Sequence, residues 1–174
     1  MKMKNYQSSV KRIVSTILFT SCFLIFSSFA SFAATYYISP TGNDVTGDGS
    51  VSKPWKTLNK ATSTITSPGN IIHVNAGTYI ETVTCTLAPG VSIEGDGNTS
   101  IIKATFSTVY QMIIQAHSNE GTNGNQHISK IKMDGQNSTS WAIQIQGRSN
   151  FSIYDCNITN FAQRGIVWGG RSDN

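Results

Sequence analysis

This 174-residue chain has little charge, few cysteines and a single long apolar run. Only 13% of its residues are Asp, Glu, Lys or Arg, and three are cysteines. The apolar run, residues 13–29, is interrupted by hydroxyl side chains and falls short of the roughly 18 uninterrupted apolar residues that a membrane-spanning helix needs. The composition is instead rich in Ser, Thr, Asn and Gly, which is common in extracellular all-β proteins with short strands and tight turns.

Residues 1–33 have the pattern of a cleaved bacterial export signal. A basic segment precedes the apolar run and contains Lys2, Lys4, Lys11 and Arg12. Ser31-Phe32-Ala33 then offers the small residues that a signal peptidase reads. Cleavage after Ala30 and lipidation of Cys22 are the alternatives. The sequence therefore predicts a secreted, extracellular protein that starts at Ala34 and has no membrane attachment after cleavage.

Removal of this signal changes the charge balance. Nine basic and nine acidic residues follow Ala33, so the mature chain has no net charge. The pI near 9.0 belongs to the export signal, and it gives no support for a nucleic-acid partner. Cys85 and Cys156 are the two remaining cysteines, and the sequence leaves both a disulfide and free thiols open.

Residues 34–70 are predicted to form a strand, a loop and a capping helix. Thr35–Ser39 favours a strand, and residues 41–54 are almost entirely turn-forming residues. Asp44 and Asp48 lie in this loop and resemble half of a calcium loop, although the terminal Glu and the flanking helices of such a loop are missing. We retain both as metal candidates beside the simpler interpretation as an Asx-rich turn.

The helix is predicted over Pro54–Ile65. Proline is favoured in a first turn, and one apolar face contains Trp55, Leu58, Ala61 and Ile65. Because so short a helix is not stable alone, we expect it to cover the open end of a stack of strands.

From Ile71 onward the sequence contains short β-branched runs separated by Gly, Asn, Asp and Ser. The predicted strands are Ile71–Asn75, Thr78–Leu87, Val91–Glu94, Ile101–Thr105, Tyr110–His117, Ile128–Met133, Trp141–Gln146, Phe151–Asn160 and Gly165–Trp168. Two sets of strands repeat. An offset of 25 aligns Ile128 with Ile153 and Met133 with Ile158, and an offset of 23 aligns Ile143 with Ile166 and Ile145 with Trp168. A period of about two dozen residues without a helix predicts an all-β solenoid.

The N-terminal segments resemble those of a known family. They are residues 36–44, 47–50, 54–61 and 68–79, the last reading Pro-Gly-Asn-Ile-Ile-His-Val-Asn-Ala-Gly-Thr-Tyr. Together they look like the start of right-handed parallel β-helix proteins of the pectate lyase type. The resemblance implies that residues 71–174 form the first coils of such a helix, where a coil is one complete turn of the solenoid. Enzymes of this family carry more coils, so we expect this chain to be part of a longer protein.

The resemblance implies a function on polysaccharide. Similar segments begin lyases, glycoside hydrolases, epimerases and surface proteins without catalysis. We favour a lyase of uronate-containing polymers as the function of the full-length protein, with its catalytic residues outside this chain. The alternatives are a non-catalytic extracellular module for binding or adhesion and a β-helix glycoside hydrolase.

The lyase interpretation implies an acidic polysaccharide as partner and calcium as cofactor of the full-length protein. Pectate-lyase-like enzymes use Lys or Arg to remove a proton α to the uronate carboxyl group, with calcium held by carboxylates. Lys130, Lys132 and Arg164 are our candidates for substrate binding. No catalytic residue is assigned, because no i, i+2 cluster is formed by Asp134, Asp155 and Asp173.

The histidines give no catalytic signal in the sequence. His73, His117 and His127 have neither a nucleophile partner nor ligand spacing, so we interpret them as ordinary strand or loop residues.

A glycoside hydrolase needs two or three carboxylates around the scissile bond. Asp134 and Asp155 do not occupy equivalent positions in successive coils, so they do not predict such a pair.

Overall fold

The structure is a computed structural model that describes residues 33–106 and 110–170. Residues 1–32 of the predicted export signal and Asp173 lie outside these residues. The strands are β1 (Thr35–Ile38), β2 (Ile71–Val74), β3 (Gly77–Glu81), β4 (Cys85–Thr86), β5 (Ser92–Gly95), β6 (Ser100–Ala104), β7 (Met112–Ser129), β8 (Lys132–Asp134), β9 (Trp141–Tyr154), β10 (Asn157–Thr159) and β11 (Arg164–Gly169). Among the described residues, one α-helix, α1 (Leu58–Thr64), precedes β2, and a 3₁₀ turn spans Gly97–Thr99.

The strands stack in parallel on three faces of a solenoid. Face A consists of β1, β2, β5 and the second halves of β7 and β9. Face B consists of β3, β6, β8 and β10. Face C consists of β4, the first halves of β7 and β9, and β11. This architecture of about four coils is a right-handed parallel β-helix, as the sequence predicted.

Columns of apolar side chains fill the interior. The face A column is Tyr36, Ile72, Ile93, Ile128 and Ile153. The face B column is Tyr79, Ile102, Met133 and Ile158, and one face C column is Cys85, Ile114, Ile143 and Ile166. Both predicted offsets, 25 and 23, are confirmed by these pairings. Burial of the columns stabilises the stack by about 25 cal/mol per Å² of apolar surface.

The helix begins later than predicted. Its N-cap is Thr57, whose side chain accepts a hydrogen bond from the Lys60 N–H. Trp55, predicted to lie in the helix, is instead extended and pairs with Ile38 of β1. The prediction of a helix from Pro54 was wrong because Trp55 joins this β-pairing, where its N–H donates to the Tyr37 carbonyl at 3.1 Å. The apolar side chains predicted for the helical face are nevertheless buried.

Corners divide three predicted strands. Thr78–Leu87 is two strands, β3 and β4, rather than one. Ile128–Met133 is broken at Lys130, and Phe151–Asn160 is broken at Asp155; each of these two residues has a φ of 54°. A residue in this left-handed region ends a strand because its backbone turns out of the pleat. Lys130 and Asp155 therefore mark the corner between faces A and B in consecutive coils.

The two ends of the described stack differ. At the first coil, α1 packs against the strands and buries Leu58, Ala61 and Thr62. In the last described coil, Ile166 and Trp168 occupy the interior columns but are 42% and 53% exposed. Within the described residues, no helix has the length and apolar character needed to span a membrane.

Candidate binding surfaces

Asp44 and Asp48 have structural partners in the N-terminal loop. Asp44 Oδ1 accepts hydrogen bonds from the N–H groups of Lys56 and Thr57 at 2.7 and 3.1 Å, and its Oδ2 accepts from Thr57 Oγ1 at 2.8 Å. Hydrogen bonds from Ser50 lower the pKa of Asp48. Asp44 therefore fixes the approach to α1, whereas Asp48 stabilises the turn at Ser50. No set of three His, Cys, Asp or Glu in the described ranges is suited to hold a metal.

Glu81 and Cys85 form a buried pair beneath α1. The Glu81 carboxylate accepts from the N–H groups of Leu58 and Asn59 at 2.7 and 3.2 Å, and Cys85 Sγ lies 3.6 Å from it. Burial raises the pKa of both groups. The neutral thiol of Cys85 is a poor nucleophile, and Cys85 and Cys156 are both free thiols. The pair thus anchors the start of α1 to the first coil.

The three predicted substrate-binding residues do not lie on one face. Lys130 is exposed at the corner between faces A and B. Lys132 points outward from face B, in register with Ile101 and Asn157. Arg164 is exposed at the start of β11 on face C. The structure therefore places Lys130 and Lys132 near each other but puts Arg164 on a different face.

Face B carries a further lysine and one acidic residue. Lys103 is in register with Asp134, whose carboxylate accepts hydrogen bonds from Asn160 Nδ2 and from the Gln136 N–H, both at 3.0 Å. These hydrogen bonds, with smaller contributions from Lys103 and Lys132, lower the pKa of Asp134. We call Lys103, Lys130 and Lys132 the lysine surface. Asp134 and the corner residue Asp155 offset part of its charge, which leaves it with a net charge of about +1.

Arg148 is buried rather than available on the surface. Its side chain is 6% exposed and donates to Ser118 Oγ, Gln126 Oε1 and the His117 carbonyl at 2.8, 3.2 and 2.8 Å. Burial lowers the pKa of Arg148 to about 10. These contacts link consecutive coils at the corner between faces C and A, so this arginine has a structural role.

Face A carries a row of polar and aromatic side chains that the sequence did not reveal. Strand register aligns Tyr37, His73, Glu94, Ser129 and Tyr154 in one line across five strands. At about 4.8 Å between strands, this line is about 19 Å long and runs along the solenoid axis. Asp96 and His127 lie beside it. We call the set Tyr37, His73, Glu94, Asp96, His127 and Tyr154 the tyrosine–histidine stripe.

The stripe contains two similar groups, each made of a tyrosine, a histidine and a carboxylate. At one end the rings of Tyr37 and His73 have centroids 5.4 Å apart, and His73 Nε2 lies 3.2 Å from Asp96 Oδ1. At the other end the centroids of His127 and Tyr154 are 5.6 Å apart. His127 Nε2 lies 2.7 Å from Glu94 Oε1. Each group brings together residues from different coils.

The Ser129 hydroxyl lies in the face A row between Glu94 and Tyr154. Ile128 points into the core, so Ser129 points to the outer side of the strand, between its register neighbours Glu94 and Tyr154. Its Oγ is fully buried and has no hydrogen-bond partner among the described residues. A buried hydroxyl without a partner is unusual and unfavourable.

Sequence reasoning missed the stripe because its partners lie in different coils. The one local signal is Glu94-Gly95-Asp96, which places two carboxylates at i, i+2 in a predicted strand and its turn. The sequence shows no nucleophile partner and no ligand spacing for His73 and His127, and their contacts with these carboxylates appear only in the structure. His117 lies apart on face C, where its Nδ1 is 3.1 Å from Gln115 Nε2.

The fold and the regular outer rows define the chain as a β-helix protein with extended polar faces. Residues 40–170 match the family described as "Protein of unknown function (DUF1565)", and the chain belongs to this family. No curated protein and no solved structure gave a significant match. Membership of this family agrees with the predicted β-helix. The more specific resemblance to pectate lyases contributes only to the proposed function.

Proposed function

We propose that the protein is secreted and acts on polysaccharide, with the lysine surface as the contact for an acidic polymer. The observation that carries this proposal is that consecutive coils present outward lysines on face B. Lys103 lies on β6 and Lys132 on the neighbouring strand β8, in different register rows. Charges presented on consecutive coils suit an extended polymer with repeating charges better than a compact ligand.

The favoured reaction of the full-length protein is the lyase chemistry that the resemblance implies, with calcium as its cofactor. In the described coils three outward carboxylates have other partners: Asp134 accepts a hydrogen bond from Asn160, and Glu94 and Asp96 face histidines. We therefore propose that these coils bind the polymer and do not cleave it. A non-catalytic binding or adhesion module and a glycoside hydrolase are the alternative functions.

Binding is tested with polygalacturonate in affinity gel electrophoresis. The double variant Lys103→Gln, Lys132→Gln should bind about threefold to tenfold more weakly, because it removes two charges from the contact. The effect should diminish as salt is added. The matched control is Lys53→Gln, Lys56→Gln, which removes two exposed lysines from the N-terminal loop. Equal losses in both double variants, or no binding by the wild type, would contradict the proposal.

Cleavage is tested separately by incubating the chain with polygalacturonate and calcium. β-Elimination leaves an unsaturated sugar that absorbs in the ultraviolet, and we expect none to form. Its appearance would show that this chain contains the catalytic residues. Release of reducing ends without ultraviolet absorption would favour the hydrolase.

A further inference from the structure

The tyrosine–histidine stripe points to a second ligand site, distinct from the lysine surface. We propose that it binds an uncharged, hydroxyl-rich oligosaccharide that lies along the solenoid axis. The proposal goes beyond the acidic-polymer function and uses different residues on a different face. It rests on the arrangement of the aromatic rings, the local charge and the buried hydroxyl of Ser129.

The two tyrosines suit the apolar faces of sugar rings. Tyr154 is 45% exposed, and Tyr37 is half-buried at the opposite end of the row. Aromatic side chains offer flat apolar area at low entropic cost, while their hydroxyls remain available for hydrogen bonding. The distance of about 19 Å along the row leaves room for several sugar units between the tyrosines.

The groups between the tyrosines are suited to sugar hydroxyls. The side chains of His73 and His127 are each 25% exposed, and those of Glu94 and Asp96 are 33% and 45% exposed. Carboxylates accept hydrogen bonds, and a neutral imidazole both donates and accepts. Adjacent hydroxyls on one sugar can therefore bond to a carboxylate and an imidazole at the same time.

Charge selects an uncharged ligand over an acidic one. The stripe contains two carboxylates, Glu94 and Asp96, and no lysine or arginine. The charged residues at the neighbouring corner, Lys130 and Asp155, cancel each other. A uronate polymer would bring further negative charge to this surface and be repelled, whereas a neutral sugar would not.

The buried Ser129 hydroxyl is an independent indication that a ligand binds to the stripe. It lies next to Tyr154 in the row, is completely buried and lacks a partner among the described side chains and backbone groups. A sugar hydroxyl that enters between Glu94 and Tyr154 would provide that partner. The cross-strand pairs of the row do not use this hydroxyl, so a purely structural role gives no reason for its position.

Binding is measured by isothermal titration calorimetry with the whole chain. The probes are neutral oligosaccharides of glucose, xylose, mannose or galactose, long enough to span the row, with oligogalacturonate for comparison. Tyr154→Ala should weaken binding of the preferred neutral sugar by about threefold to tenfold. The matched control is Tyr110→Ala, which removes a 68% exposed tyrosine that contacts Trp141 away from face A.

Ser129→Ala separates ligand binding from a structural role. Removal of an unpartnered buried hydroxyl should leave stability unchanged or raise it. If the ligand uses this hydroxyl, affinity for the neutral sugar should nevertheless fall by at least about twofold. Thermal melting of each variant checks that it is folded.

Four outcomes would overturn the proposal. Three are the absence of binding to every neutral probe, equal effects of Tyr154→Ala and Tyr110→Ala, and an affinity that Ser129→Ala does not change. The fourth is tighter binding of oligogalacturonate at the stripe, which would leave polysaccharide binding itself intact. Because the lysine variants test the other face, either proposal can fail without the other.

Discussion

Glu81 shows how a buried carboxylate can serve the fold rather than a reaction. It is 1% exposed, faces the interior from β3 and accepts two N–H groups at the start of α1. Those hydrogen bonds favour the ionised form, but desolvation is the larger effect and raises its pKa. The sequence left this residue unassigned because its partners lie more than twenty positions earlier in the chain.

We predict that Glu81 makes stability depend on pH. Since its folded-state pKa is raised above 4.5, its contribution to stability is complete below the unfolded-state pKa and is lost as the pH rises through the folded-state value. The free energy of unfolding of the wild type should fall over this range, and Glu81→Gln should show a smaller fall. Urea denaturation at several pH values measures both, with the exposed Asp155→Asn as control. Parallel pH profiles for wild type and Glu81→Gln would contradict the prediction.

At the scale of the element, α1 depends on two acidic residues that precede and follow it in sequence. Asp44 holds the N–H groups of Lys56 and Thr57, and Glu81 holds those of Leu58 and Asn59. A seven-residue helix is too short to be stable alone, so these contacts and its buried face set where it forms. The apolar spacing predicted that a helix exists, but the carboxylates and the pairing of Trp55 decide its first residue.

We predict unequal effects for the two loop aspartates. Asp44→Ala removes three hydrogen bonds and should lower the free energy of unfolding by about 1–3 kcal/mol. Asp48→Ala removes an exposed turn contact with Ser50 and should leave the free energy of unfolding nearly unchanged. Guanidinium unfolding measures both.

Calcium should leave the melting temperature of the wild type unchanged, because the Asp44 oxygens already bind the backbone and Thr57. A clear rise in melting temperature with calcium would show that this loop binds the ion after all.

At the scale of the whole molecule, stability comes from columns that continue from coil to coil. Ile143 lies between Ile114 and Ile166 in one such column and is fully buried, whereas Ile166 occupies the last described coil and is 42% exposed. Among the described coils, Ile143 therefore has a column neighbour on both sides, whereas Ile166 has one on a single side. Position along the solenoid, more than residue identity, sets its contribution.

We predict that Ile143→Ala costs about 2–5 kcal/mol of unfolding free energy, because it leaves a cavity between two coils. Ile166→Ala should cost less than about 1.5 kcal/mol, since much of its side chain already contacts water. Chemical denaturation compares the two. Similar costs would mean that Ile166 is covered in solution, in contrast to its exposure in this structure.

The sequence by itself determined the solenoid. Ile128 with Ile153 and Ile143 with Ile166 recur at nearly equal spacing, and a repeated apolar position must lie inside a stack because exposing a whole column to water is unfavourable. The tertiary structure alone decided which outer side chains meet. Successive members of the face A row are 21, 35 and 25 residues apart, from His73 to Glu94, Ser129 and Tyr154. Because the coils differ in length, the residues of the outer row do not recur at a constant spacing in the sequence, although the interior columns stay aligned. Only the folded chain brings the two histidines to their carboxylates.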